Sequence, residues 1–258
     1  RECSTMASVE TQHADMIHDA QMDYYGKRLA TCSSDKLVKI FNVVADNITF
    51  VSDLKGHDGP VWQVAWAHPR FGSVLATCSY DRKVIVWKET DNGWSKFFEY
   101  GRHKASVNSV AWAPHEYGLC LACASSDGHV SVLSFKGVSP SVAVAQADDV
   151  LHTIYQPAHQ IGATSVSWAP AQSSSSGFAE ASEGAMRLVT GGCDKVVTVW
   201  KYDKEAGELV AENSLQEHSG WVRDVAWSPN VGLPYSTIAS CSQNGEVFAW
   251  TQRDAGQW

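Results

Sequence analysis

The 258-residue chain has no stretch approaching the roughly 20 consecutive apolar residues that a membrane-spanning helix needs. It is also short of positive charge, with 20 Lys and Arg against 28 Asp and Glu and a net charge of -8. That balance excludes two modes of action. Electrostatic nucleic-acid binding needs a basic stripe, and a polybasic membrane anchor needs clustered Lys and Arg. The first residues lack the apolar core of a secretory signal, and Met6-Ala7-Ser8-Val9 reads as a start, with residues 1–5 an upstream addition. Seven Cys, an odd number spread along the chain, then indicate a reduced cytosolic or nuclear setting rather than a disulfide framework.

Metal-binding and catalytic signatures are missing too. Cys120-Leu121-Ala122-Cys123 has the spacing of half a zinc site, but no second ligand pair accompanies it, so these thiols are expected to pack as small hydrophobes. His115-Glu116 does not begin an HExxH motif, because Leu119 stands where the second His would fall. No G-x-S-x-G elbow occurs. Ser125-Ser126-Asp127-Gly128-His129 approaches a sialidase Asp box, but its Gly comes one place early and Leu133 replaces the aromatic. The reading is a non-enzymatic chain with no cofactor and no metal.

Tryptophan, by contrast, is abundant: 11 residues against 8 Phe and 8 Tyr. Repetition accounts for most of them. Asp35, Asp81, Asp127, Asp194 and Asn244 each precede, by a constant six places, Phe41, Trp87, Leu133, Trp200 and Trp250. Upstream of each lies a His followed by a period-2 run, as in His57 with Val61-Trp62-Gln63-Val64-Ala65-Trp66. His103, His159 and His218 hold the same place, and His18 is assigned to it in the first unit. A unit of about 40–45 residues with a GH…WD-like pattern is a WD40 propeller blade. One four-stranded blade cannot bury both faces, whereas a ring of blades can. The expected fold is therefore all-β, an open WD40 β-propeller, with residues 1–12 an N-terminal extension and 13–258 one domain. Its five blades run roughly over 13–56, 57–102, 103–158, 159–217 and 218–258.

Resemblance to WD40 proteins implies that the His, the turn Asp, a strand hydroxyl and the Trp form a buried hydrogen-bonded set. Complete sets are expected only in the second blade (His57, Asp81, Trp87) and the fourth (His159, Asp194, Trp200), the other blades losing polar partners together or recruiting water.

Longer blocks are more specific. Ile17-His18-Asp19-Ala20-Gln21-Met22-Asp23-Tyr24-Tyr25-Gly26, Gly56-His57-Asp58-Gly59-Pro60-Val61-Trp62, and Trp221-Val222-Arg223-Asp224-Val225-Ala226-Trp227-Ser228-Pro229 continuing to Gly232-Leu233-Pro234 resemble the Sec-thirteen family. These are the small WD40 subunits of the COPII outer coat and of the nuclear pore's Y-shaped scaffold. The resemblance implies six blades, one more than this sequence shows. It also implies a seventh blade donated by an α-solenoid partner, which pairs with the exposed edge beside the first blade. That partner is the large subunit of the COPII outer coat or an α-solenoid nucleoporin of the Y complex. Location would be cytoplasmic, peripheral on the ER and on COPII vesicles with only indirect membrane contact, and at nuclear pores. Met16, Ile17, His18, Ala20, Met22, Tyr24 and Tyr25 are the interface candidates. The other reading is a peptide-reading WD40 adaptor such as a ubiquitin-ligase receptor. The insert at 172–184, with four consecutive Ser, reads as a surface loop.

Overall fold

Alternating runs of apolar and polar residues become strands, and tight Asp-led turns join them into meanders. The computed structural model describes residues 8–45, 47–136, 150–171, 186–229, 235–253 and 258. The start at Met6, the insert at 172–184, Gly232-Leu233-Pro234 and residues 254–257 lie outside the described residues. The first sheet contains β1 (Ile17–Met22), β2 (Arg28–Ser33), β3 (Leu37–Val44) and β4 (Asn47–Lys55). The second contains β5 (Val61–Trp66), β6 (Val74–Ser79), β7 (Val84–Thr90) and β8 (Gly93–Tyr100). The third has β9 (Val107–Trp112), β10 (Leu119–Ser125), β11 (His129–Phe135) and β12 (Val150–Pro157). The fourth has β13 (Ala163–Trp168), β14 (Arg187–Gly192), β15 (Val197–Asp203) and β16 (Glu208–Leu215). The fifth has β17 (Val222–Trp227), β18 (Ser236–Ser242) and β19 (Val247–Gln252). All pairings are antiparallel within a sheet, and the sheets are the blades of an open propeller.

The repeated Asp shapes the turn between the second and third strands of a blade. Its carboxylate accepts the backbone N–H two residues on, 2.9 Å from Leu37 N to Asp35 and 2.8 Å from Lys83 N to Asp81. The residue after the Asp is left-handed in each case: Lys36, Arg82 and Lys195 at φ 73°, 73° and 71°, and Gly128 at φ 80°.

Among the described residues the blades pack through four apolar layers, one per neighbouring pair. Ala30, Cys32 and Ile40 of the first blade meet Val64, Leu75, Ile85 and Trp87 of the second. Cys120 and Cys123 sit three apart on β10 and so face opposite ways. Cys123 lies in the layer shared with the second blade and Cys120 in the layer shared with the fourth. Burial pushes the Cys123 thiol up to about 12, so this CxxC is two packing groups on different faces rather than a reactive pair.

A bulge at the second residue of each inner strand adds a polar layer between blades. Register shifts occur between Ile17 and Asp19, Val61 and Gln63, and Val222 and Asp224. The bulge turns the second and third side chains together towards the next blade. Asp19 accepts from Val64 N at 3.2 Å and Gln63 from Val110 N at 2.8 Å. The Trp closing the strand donates its indole N–H backwards: Trp66 to Gln21 O, Trp112 to Ala65 O and Trp168 to Ala111 O, each at 2.9 Å. The repeated Trp thus fills the layer between blades and also hydrogen-bonds across it.

Candidate functional site

In the second blade, His57 Nδ1 stands 2.9 Å from Asp81 and Nε2 2.8 Å from the Thr77 hydroxyl, which also accepts the Trp87 indole N–H at 3.0 Å. The carboxylate can only accept, which places the ring proton of His57 on Nδ1. Trp87 thus donates to Thr77 and His57 donates to Asp81, with the Thr77 hydroxyl joining the two rings. The fourth blade repeats the arrangement, with His159 bridging Asp194 at 2.9 Å and Thr190 at 2.8 Å while Trp200 donates to Thr190.

The other blades depart from the sequence reading by changing single members. His13, and not His18, holds the landmark place in the first blade, 2.8 Å from Asp35 and 2.9 Å from Thr31. His18 sits on the bulge, so its ring turns to the second blade, bonding Ser34 at 2.6 Å and meeting Trp62 edge-on at 4.6 Å. In the third blade Cys123 replaces the hydroxyl, and Ser131, directly opposite it on β11, supplies one to His103 at 2.9 Å. Tyr155 adds a donor to Asp127 at 3.1 Å. In the fifth blade His218 and Trp250 share Ser240. Glu246, two places beyond Asn244, accepts the Ser219 N–H that the Asp accepts elsewhere.

These sets bind protons in a way that sets acid stability. Burial alone would raise the Asp81 carboxyl. His57, followed by the N–H groups of Asp58 and Lys83, outweighs burial and holds it at about 2. Asp127 is held at about 2 as well, with burial opposed by the N–H groups of Lys104 and His129 and then by His103. A carboxyl depressed on folding stabilises the fold above its unfolded pKa, and that contribution is lost as pH falls towards the folded value. Urea unfolding should show a stability decline between about pH 4 and pH 2, on the order of 1 kcal/mol for each of these two Asp once solvent screening is allowed for.

The first blade presents a face that no other described blade covers. By repeat position, Ile17, Ala20 and Met22 correspond to Val61, Val64 and Trp66, which turn towards the preceding blade. Ile17 is 42% exposed and Met22 44%, whereas Val61 and Val64 are buried. Phe50 on β4 lies on the same face, edge-on to Phe41 at 5.9 Å, and is 56% exposed. Met16, Ala20, Tyr24 and Tyr25 are exposed, while His18 is half-buried against the second blade. Phe50 has no signal in the sequence, because only cross-strand pairing with Phe41 assigns it to this face.

A channel of about 850 Å³ opens where the inner strands end, lined by Trp66, Trp112, Trp168 and Trp227, with His68 stacked on His115 at 4.1 Å. Among the described residues no three His, Cys, Asp or Glu side chains are grouped to hold a metal ion.

This repeated geometry is that of a WD40 propeller, and the family model for the WD domain, G-beta repeat matches residues 5–42, 48–88, 94–133 and 209–251. It matches nothing between 134 and 208, where the fourth blade nonetheless carries a full set interrupted by the long insert. A human protein named "Protein SEC13 homolog" is 59% identical over 256 residues, 98% of this chain and 76% of that one. "Protein transport protein SEC13" of Yarrowia lipolytica is 50% identical over 98% of this chain and 82% of its own length. The chain belongs to the Sec13 family of WD40-repeat proteins.

Proposed function

We propose that the chain is a non-enzymatic scaffold subunit for protein transport, completed by a blade donated from an α-solenoid partner. The observation that carries this reading is the first-blade face: residues whose counterparts are buried in later blades are exposed here. A donated blade would cover Ile17, Met22 and Phe50 as the first blade covers Val61 and Val64. The family's transport names support the COPII outer coat, and residue-level resemblance supports the nuclear-pore Y complex as a second assembly. Either would place the chain in the cytoplasm on ER and vesicle membranes, or at the nuclear envelope, with membrane contact only through the coat. In this reading the His-Asp-Trp sets hold the blades rigid and do no chemistry.

Pull-down from cytosol should recover a stoichiometric α-solenoid chain that survives high salt, because apolar burial is little screened. Phe50→Glu should weaken that complex by at least about tenfold, since burying an unpaired charge costs several kcal/mol. Its fold should be kept, at a cost of about 1 kcal/mol for the lost contacts with Phe41 and Lys39, as Phe50 is more than half exposed in the free chain. Undiminished recovery of the partner by Phe50→Glu would contradict the assignment.

A further inference from the structure

The fifth blade differs from the others in what faces Nδ1 of its landmark His. Four blades place an Asp six residues before the aromatic position, and each accepts the Nδ1 hydrogen bond of its landmark His. The fifth places Asn244 there. Its His218 is buried, and Nδ1 makes no hydrogen bond, with the nearest carboxylate oxygen, on Glu246, 3.6 Å away. Asn244 is exposed, and its successor is Gly245, at φ 88°, with nothing within 4 Å of the position a Cβ would take. Asn244 Oδ1 accepts a hydrogen bond from the Ser242 hydroxyl, and Nδ2 donates to the Ser219 hydroxyl.

We infer that Asn244 is a spontaneous modification site, where deamidation supplies the carboxylate that His218 lacks. Asn is a thermolabile residue, and an unhindered Gly after it leaves the main-chain nitrogen free of side-chain obstruction. The Gly245 nitrogen attacks Asn244 Cγ, forming a C–N bond. The Cγ–Nδ2 bond breaks, and the side-chain nitrogen leaves as ammonia, taking up the proton lost from the Gly245 N–H. Water then opens the succinimide. Addition at the side-chain carbonyl returns a normal peptide bond and Asp at 244; addition at the main-chain carbonyl gives the isoaspartyl linkage. No oxidant or reductant is involved. The Gly245 N–H bonds Ser242 O at 3.1 Å, so the turn opens at that one bond before attack. The hydroxyl of Ser242 on Oδ1 stabilises the oxygen on which negative charge develops.

The α-aspartyl product gives the fifth blade the same carboxylate as the other four, with the Nδ1–H of His218 as its donor. Glu246 then turns outward, since two carboxylates on one donor group repel. Asn92-Gly93 is a second Asn-Gly pair in an exposed turn, but it is not at the turn position occupied by the repeated Asp.

The test holds the chain at mildly alkaline pH and follows residue 244 by peptide mapping, with a free peptide of residues 240–250 as the clock. Within several half-lives of that peptide, the folded chain should show the mass gain of amide-to-acid conversion at Asn244. Part of the product should co-elute with the corresponding peptide from Asn244→Asp. Independently, Asn244→Asp should raise the thermal midpoint above that of the parent. An intact amide at 244 over that period would overturn the site. A midpoint for Asn244→Asp at or below the parent value would overturn the structural role given to it.

Discussion

Gly192→Ala is expected to cost on the order of 3–5 kcal/mol of folding stability, the range for breaking a buried charge-assisted set. A Cβ at residue 192 would clash with Nδ1 and Cγ of His159 and stand 2.5 Å from Asp194 Oδ1. Neither group can retreat from its place in this blade without losing a hydrogen bond. His159 is buried with both ring nitrogens bonded, and Asp194 is tied to the turn through Gln160 N and Val196 N. Adding one methyl therefore separates the imidazole from its carboxylate and leaves Thr190 and Trp200 without their terminus. Gly101→Ala is the control, because nothing lies within 4 Å of its Cβ position, and its effect should stay within about 0.5 kcal/mol. Urea unfolding of both variants checks this. A loss below about 1 kcal/mol for Gly192→Ala would show that the set holds little of the stability.

Thr77→Val should cost about 2–4 kcal/mol. Valine keeps the shape of threonine but not its hydroxyl, so His57 Nε2 and Trp87 Nε1 both lose their partner inside the second blade, at about 1–3 kcal/mol for each buried orphan. Thr77 is fully buried, so water cannot replace the hydroxyl without opening the blade. Thr77→Ser keeps the hydroxyl and gives up one buried methyl, for about 1 kcal/mol. Denaturant midpoints for the pair separate the hydrogen bonds from packing. Equal losses would mean that packing alone matters at this site.

Much of this arrangement was legible in the residues. The Asp-to-aromatic offset is constant because the turn fixes it: the Asp carboxylate accepts the N–H two residues on, across a left-handed residue. The first-blade His was misassigned, although a signal existed. His57, His103 and His218 precede their strands by four places, and so does His13 before Ile17. His18 lies instead on the bulge, where simple strand alternation breaks because two successive side chains turn the same way. Ser131 was not legible, because its role depends on standing opposite Cys123 across two strands. Glu246 was hidden for another reason: its longer side chain reaches from two places further on to the N–H that Asp caps elsewhere. The expectation that imperfect blades lose polar partners together or recruit water does not describe the first and third blades, whose His13 and His103 keep protein partners on both ring nitrogens. A buried imidazole without partners is costly: the third blade replaces its lost hydroxyl with Ser131, whereas in the fifth Glu246 takes over the Ser219 N–H but leaves His218 Nδ1 without a hydrogen bond.

The central claim is that the exposed face of the first blade is the seat of a donated blade. Hydroxyl-radical footprinting, with and without the α-solenoid partner, tests it most directly, because Met22, Tyr24 and Phe50 are exposed and readily oxidised. The account predicts that Met22 and Phe50 become protected when the partner binds, while Tyr80, exposed on the second blade, keeps its reactivity. Protection of Tyr80 with Met22 and Phe50 unchanged would contradict it.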